Sequence, residues 1–148
     1  MVPTPKVRVV TGKDIEEFLY QQTPVWEESM KNVRETTWWG FTDEVFVGHP
    51  PYHEWILWYW KRAPRQFDLK LLTNDSKIEE EMKRKKLTRR ETRVMDDGAN
   101  FTAGQWVLGD YIVSTVTSSK PHYLTQIHDP VLAHNLRELY KNLWKKYG

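Results

Sequence analysis

The fold is decided by residues 103–147, AGQWVLGDYIVSTVTSSKPHYLTQIHDPVLAHNLRELYKNLWKKY. Gly109-Asp110 lies between two runs of β-forming residues, which predicts a hairpin, and Lys120-Pro121 marks the next reversal. Asp129 suits a helix N-cap, and Pro130 suits the first helical position because an N–H there has no partner anyway. The helix that follows is predicted to bury one apolar stripe on a sheet, formed by Leu132, Leu136, Leu139, Leu143 and Tyr147.

The preceding residues alternate between strand and helix patterns. Strands are predicted at 6–10, 36–41, 67–72 and 89–95. Helices are predicted from 15 to 33, from 52 to 62 and up to 86, with a kink or restart at Pro24. The order β-α-β-α-β-α-β followed by β-β-β-α predicts an α/β fold, in which a mixed β-sheet is flanked by helices. We expect a largely parallel sheet, with antiparallel strands added at one side.

Composition narrows the range of functions. The 148 residues suit a single domain, 1–148, and their net charge of +2 gives no overall attraction to nucleic acid or membrane. The chain has no cysteine, which excludes disulfides, thiolate catalysis and cysteine-ligated metals. No signal region or long apolar run is present, so we expect a cytoplasmic protein that makes no contact with a membrane.

The order of these elements resembles a known frame. Catalytic phospholipase D-type domains carry His-x-Lys and a later Asp on one strand, then a second strand, an Asp-Pro-like turn and a helix ending in Leu-Trp. Residues Phe101 to Trp144 are similar to that frame. More closely, nearly the whole chain resembles the phospholipase D-like effector domain that follows the winged helix of TrmB-family transcription regulators. KVRVVTGKD resembles its opening strand and VLAHNLRELYKNLW its closing helix.

The resemblance implies no catalysis, because the catalytic residues are replaced. If Asp110 occupies the motif Asp position, the His and Lys positions fall on Ala103 and Gln105. If Leu108 occupies it, they fall on Phe101 and Ala103. Phosphodiester transfer of this type needs a His nucleophile and a Lys that stabilises the developing negative charge. Neither role can be filled by Phe101, Ala103 or Gln105.

Other motifs favour ordinary structural roles. His49 and His53 are four residues apart, but Pro50 and Pro51 interrupt them, so we predict neither a metal site nor a cofactor. The segment from 96 to 100 is predicted to be a loop rather than a calcium site. Residues 83–93 include seven basic side chains and are predicted to form a solvated helix end, with phosphate-backbone binding as the alternative.

The tryptophan-rich segments suggest a site beyond core packing. Trp38 and Trp39 are adjacent on one strand and therefore point to opposite faces of the sheet. Polar residues at strand ends beside aromatic rings predict a ligand pocket formed by Trp39, Thr42, Glu44 and Trp106. The second helix carries more ring surface than one sheet face hides, which predicts a dimer or partner surface at Trp55, Trp58 and Tyr59.

The leading hypothesis is a non-catalytic sensing and dimerisation domain of a TrmB-like regulator. The resemblance implies that a sugar-like small molecule is sensed, and that DNA is reached only through a separate winged-helix domain. A homodimer is the expected assembly. The alternative is a stand-alone protein-interaction module on an inactive phospholipase D-like scaffold, and a third reading is an enzyme with a relocated site.

Overall fold

A computed structural model describes residues 4–74, 77–85, 89–95 and 101–147, apart from four side chains within 77–83. It contains seven strands and five helices in the described part of the chain. The strands are β1 (Lys6–Thr11), β2 (Thr37–Thr42), β3 (Asp68–Thr73), β4 (Arg90–Val94), β5 (Gly104–Leu108), β6 (Tyr111–Val116) and β7 (Tyr123–His128). The helices are α1 (Asp14–Val33), α2 (Glu44–Gly48), α3 (Pro50–Arg62), α4 (Lys77–Arg84) and α5 (Pro130–Lys146).

All seven strands form one mixed sheet in the order β1-β7-β6-β5-β2-β3-β4. Only β2, β3 and β4 run parallel to one another, whereas β5, β6, β7 and β1 pair antiparallel. The mixed, helix-flanked sheet is therefore confirmed, but the prediction of a largely parallel sheet is wrong. The chain leaves β1 through α1 and crosses to the middle of the sheet, so β1 and β2 are not neighbours.

One face of the sheet carries α1, α2 and α3 over a core of indole rings. Trp26 of α1 is fully buried, and its ring lies 6.3 Å from Trp38, 6.4 Å from Trp55 and 6.3 Å from Trp106. Its indole N–H donates to Gln126 at 2.8 Å, so the buried polar atom is paired. Aromatic packing of this kind fixes α1 and α3 against the sheet.

Of the predicted kink or restart at Pro24, the restart is wrong, because α1 is a single helix from Asp14 to Val33. Thr23 donates its hydroxyl to the Leu19 carbonyl at 2.7 Å, a local bond that threonine can make inside a helix. A second local difference is α2, a short helix between the predicted strand at 36–41 and the predicted helix from 52 to 62. The predicted loop at 96–100 lies outside the described residues.

Among the described residues, the opposite face of the sheet is covered by α5, which lies over β6, β5, β2 and β3. The Asp129 carboxylate accepts from the Val131 and Leu132 amides, which confirms the predicted cap. The predicted buried stripe is wrong at two of its five positions, since Leu132 and Leu139 are 41% and 54% exposed. Half-buried at the edge of the core are Leu136, Leu143 and Tyr147. The fully buried side chains are those of Ala133, Arg137, Tyr140 and Trp144.

Arg137 explains the rotation of α5. Its guanidinium is buried and donates to the Gly109 carbonyl at 2.8 Å, so a charged side chain fills a position on the buried side. Gly109 itself has φ +61°, and a β-carbon there would collide with Ser29, which makes glycine necessary at the predicted turn. Among the described residues, no helix combines the length and hydrophobicity needed to cross a membrane.

Candidate functional site

The predicted Asp110 register of the phospholipase D-type motif assigns its Lys position to Gln105 in β5. Gln105 lies beneath α5, and its amide is held from both sides: it donates to Ser114 at 3.3 Å and accepts from the Tyr140 hydroxyl. Phe41 and Phe101 stack beside it with ring centroids 4.6 Å apart. Burial raises the pKa of Tyr140, so its phenol stays protonated and donates. This arrangement holds a neutral amide in place and supplies neither nucleophile nor cation.

Buried polar side chains cluster at the same end of the sheet. Asp43 follows β2, is 2% exposed, and accepts from the Thr117 hydroxyl at 3.4 Å through Oδ2. Its Oδ1 has no hydrogen-bond partner among the described residues. Burial raises the pKa of this carboxyl, although hydrogen bonds from the backbone at 43 and 46 and from Thr117 oppose the shift. Ionisation of Asp43 in the folded chain therefore lowers stability.

The four predicted ligand-binding residues do not line one cavity. Trp106 and Thr42 border a buried void of about 20 Å³ between the sheet and α3, which is too small for more than one water molecule. Trp39 lies on the other face of the sheet, where its ring packs 6.3 Å from Trp144. Glu44 is exposed at the start of α2. The ligand-binding role of these residues stays a prediction that the geometry does not support.

The predicted partner helix is mostly hidden inside the monomer. Trp55 and Tyr59 of α3 are each 2% exposed, so a partner does not reach them. Trp58 is half-buried, with its ring 4.8 Å from Tyr20 and the Arg62 guanidinium 4.7 Å above it. The aromatic rings of α3 that one sheet face does not cover are buried because α3 packs against both α1 and the sheet.

An open cleft lies at the tip of the β5–β6 hairpin, between the hairpin and α1. It has a volume of about 480 Å³ and is lined by Pro24, Val25, Glu28, Ser29, Asn32, Asp110, Tyr111 and His128. The Asp110 amide donates to the Ser29 hydroxyl at 2.9 Å and so fixes the hairpin tip against α1. Beside it, Tyr111 and His128 stack with centroids 4.4 Å apart. We call this site the hairpin-tip cleft.

The hairpin-tip cleft combines apolar surface with polar side chains and is not strongly basic. Glu28 and Asp110 are in no ion pair within the described part of the chain, so both carboxylates remain acceptors. Burial, and then the Asp110 charge, raise the pKa of Tyr111, which keeps its phenol a donor at neutral pH. Glu28 and Asn32 are four residues apart on α1, and this spacing alone predicts that their side chains share one face of the helix. The hairpin that completes the cleft is more than 75 residues away along the chain.

A second, smaller cleft of about 240 Å³ contains two of the five histidines. The rings of His49 and His122 are 5.0 Å apart, and the Tyr52 hydroxyl lies 3.2 Å from Nδ1 of His122. Burial, and then His122, lower the pKa of His49. His53 points elsewhere and contacts the Val47 carbonyl. Among the described residues, no three potential ligands converge to hold a metal ion.

Comparison with known proteins gives structural matches only. No protein-family model and no curated protein matches the sequence. The solved structure of TrmBL2, an archaeal chromatin protein with a novel mode of DNA binding, is similar over 95% of this chain, with 14% identity and a TM-score of 0.53. The chain spans 53% of TrmBL2. NucT from Helicobacter pylori is similar over 96% of this chain and 97% of its own length, with 7% identity and a TM-score of 0.57. These likenesses confirm the predicted phospholipase D-like fold.

Proposed function

We propose that this chain is a non-catalytic, ligand-sensing and dimerisation domain of a TrmB-like transcription regulator. The observation that carries the proposal is the Gln105 amide, which is held between Ser114 and Tyr140. In the Asp110 register Gln105 and Ala103 occupy the Lys and His positions of a phosphodiesterase, and in the Leu108 register Ala103 and Phe101 occupy them. Neither register supplies the nucleophile or the cation. The likeness to TrmBL2 supports the regulatory context, because this chain corresponds to about half of that protein. DNA contact is then made by a separate winged-helix domain rather than by these residues.

The hairpin-tip cleft is the place for the sensed ligand in this proposal. Its volume of about 480 Å³ is within the range of small-molecule sites. Vicinal hydroxyls of a sugar-like ligand donate to the Glu28 and Asp110 carboxylates and accept from the Asn32 amide. The apolar edge of the ring packs on Pro24 and Val25. A neutral, polyhydroxylated ligand uses every type of group that the cleft offers.

A thermal-shift screen of the whole chain with sugars and nucleotides tests the sensing role. At about 100 times its Kd, a ligand contributes roughly 2.7 kcal/mol and raises the Tm by about 5–10 °C for a chain of this size. We expect a sugar to produce the shift, and Asn32→Ala to reduce it. Gln21→Ala is the matched control, because Gln21 is exposed on the same helix but lines another groove. Absence of any shift at millimolar concentrations contradicts the sensing role.

A further inference from the structure

Part of one sheet face is left exposed by the residues that the structure describes. On the α5 side, the helix packs mainly on β6, β5, β2 and β3. Val7 and Val9 of β1 are 66% and 61% exposed, and Tyr123 of β7 is 38% exposed. Val7 pairs with Ile127, which pairs in turn with Ile112 beneath α5, so these side chains share one face.

No charged residue interrupts this face. The pairing registers of β1, β7 and β6 place eight uncharged side chains on this face: Val7, Val9, Thr11, Tyr123, Thr125, Ile127, Ser114 and Val116. The charged residues of β1, Lys6 and Arg8, alternate to the other side, where Arg8 lies over the Phe18 ring at 4.8 Å. In an antiparallel strand pair, apolar and polar residues normally alternate along each strand, so that the face exposed to water is polar. In β1 and β7 the exposed face on the α5 side carries no charged residue.

A leucine flank of α5 continues this surface. Leu132, Leu136, Leu139 and Leu143 follow one another at intervals of four, three and four residues, the spacing of a helix–helix seam. Leu132 and Leu139 are exposed, whereas Leu136 and Leu143 are half-buried at the edge of the core that Ile127 also borders. Lys141 on the other flank contacts Glu35 at 2.8 Å, so the leucines face away from that ion pair. We call the sheet face and this flank together the uncharged surface.

We infer that the uncharged surface is the contact between two copies of this chain, related by a two-fold axis. This rests on the proposed dimerisation role and names the surface that performs it. The strand part measures about 10 Å by 20 Å and the helix flank about 16 Å by 10 Å. That area suits the apolar core of an interface whose polar rim brings the total to the standard ~800 Å² per partner.

The charges at the ends of α5 also fit a second copy. In an antiparallel pair of α5 helices, Leu132 of one copy contacts Leu143 of the other, and Leu136 contacts Leu139. The same alignment brings the Asp129 carboxylate at one end near Lys145 and Lys146 of the other copy. Opposite charges at both ends favour this register over the parallel one, which would place the lysines of both copies together.

Sedimentation of the full chain at about 1 to 100 µM tests the inference, because a contact of this size is expected to dissociate in the micromolar range. We expect a wild-type dimer, and at least a tenfold increase in its Kd for Leu139→Glu and for Val9→Glu. Val45→Glu is the matched control, since Val45 is 48% exposed on α2, across the sheet. Circular dichroism establishes that each variant is folded.

The outcomes separate this inference from the broader proposal. If the wild-type chain is a dimer and neither substitution weakens it, the uncharged surface is not the dimer contact, but the proposed dimerisation role still holds. A wild-type monomer at every concentration overturns both the surface and the dimerisation role, whereas the sensing role still depends on the thermal-shift result. A dimer weakened equally by Val45→Glu also contradicts the surface, because that position lies outside it.

Discussion

Two alanine substitutions in α5 distinguish its buried side from its exposed flank. Trp144 is 6% exposed, packs against Trp39, and has the Arg93 guanidinium 4.1 Å above its ring. Trp144→Ala is therefore expected to reduce the free energy of unfolding by about 3–5 kcal/mol, as for other buried large side chains. Leu139 is already 54% exposed, so Leu139→Ala is expected to cost less than about 1 kcal/mol.

Urea unfolding followed by circular dichroism measures both effects without depending on tryptophan emission. Each protein is measured at two concentrations, because a midpoint that changes with concentration reveals a contribution from dimer formation. The denaturant midpoint is expected to fall sharply for Trp144→Ala and to change little for Leu139→Ala. Equal losses, or a larger loss for Leu139→Ala, would refute the observed rotation of α5 and favour the leucine stripe that spacing alone predicts.

Two further predictions concern buried polar atoms. Trp26→Phe leaves the Gln126 amide without its donor, and we expect a loss of about 1–3 kcal/mol in urea unfolding, whereas Trp58→Phe, at a half-buried position, should cost less. Burial raises the pKa of Asp43 in the folded chain. Stability is therefore lost as the pH rises above the pKa that this carboxyl has in the unfolded chain. Asp43→Asn is therefore expected to raise the Tm at neutral pH, and the gain should vanish in acid below the unfolded pKa. A Tm gain that is unchanged by acid would contradict this cause.

Local signals in the sequence predict most of the elements correctly. Gly109-Asp110 forms the hairpin turn and Asp129 caps α5, because both depend on backbone chemistry within a few residues. Trp38 and Trp39 face opposite sides of the sheet, as strand geometry requires. These features need no information about distant parts of the chain.

The errors arise where distant segments meet. The pairing of β1 with β7 joins residues more than 100 positions apart, and the alternation of strands and helices does not specify it. Leucine spacing identified an apolar flank of α5, but the sheet instead receives Tyr140, Trp144 and the paired Arg137. The hairpin-tip cleft likewise requires Asp110 to dock on Ser29, a contact that neither segment predicts alone.

Hydrolysis of bis(p-nitrophenyl) phosphate tests the central claim most directly. In neither predicted register does the chain supply the His nucleophile and the Lys cation that phosphodiester transfer needs. We therefore expect release of nitrophenol at the rate of buffer alone, both for the wild-type chain and for Gln105→Ala. Hydrolysis that rises in proportion to wild-type protein and is lost in Gln105→Ala would contradict a non-catalytic role.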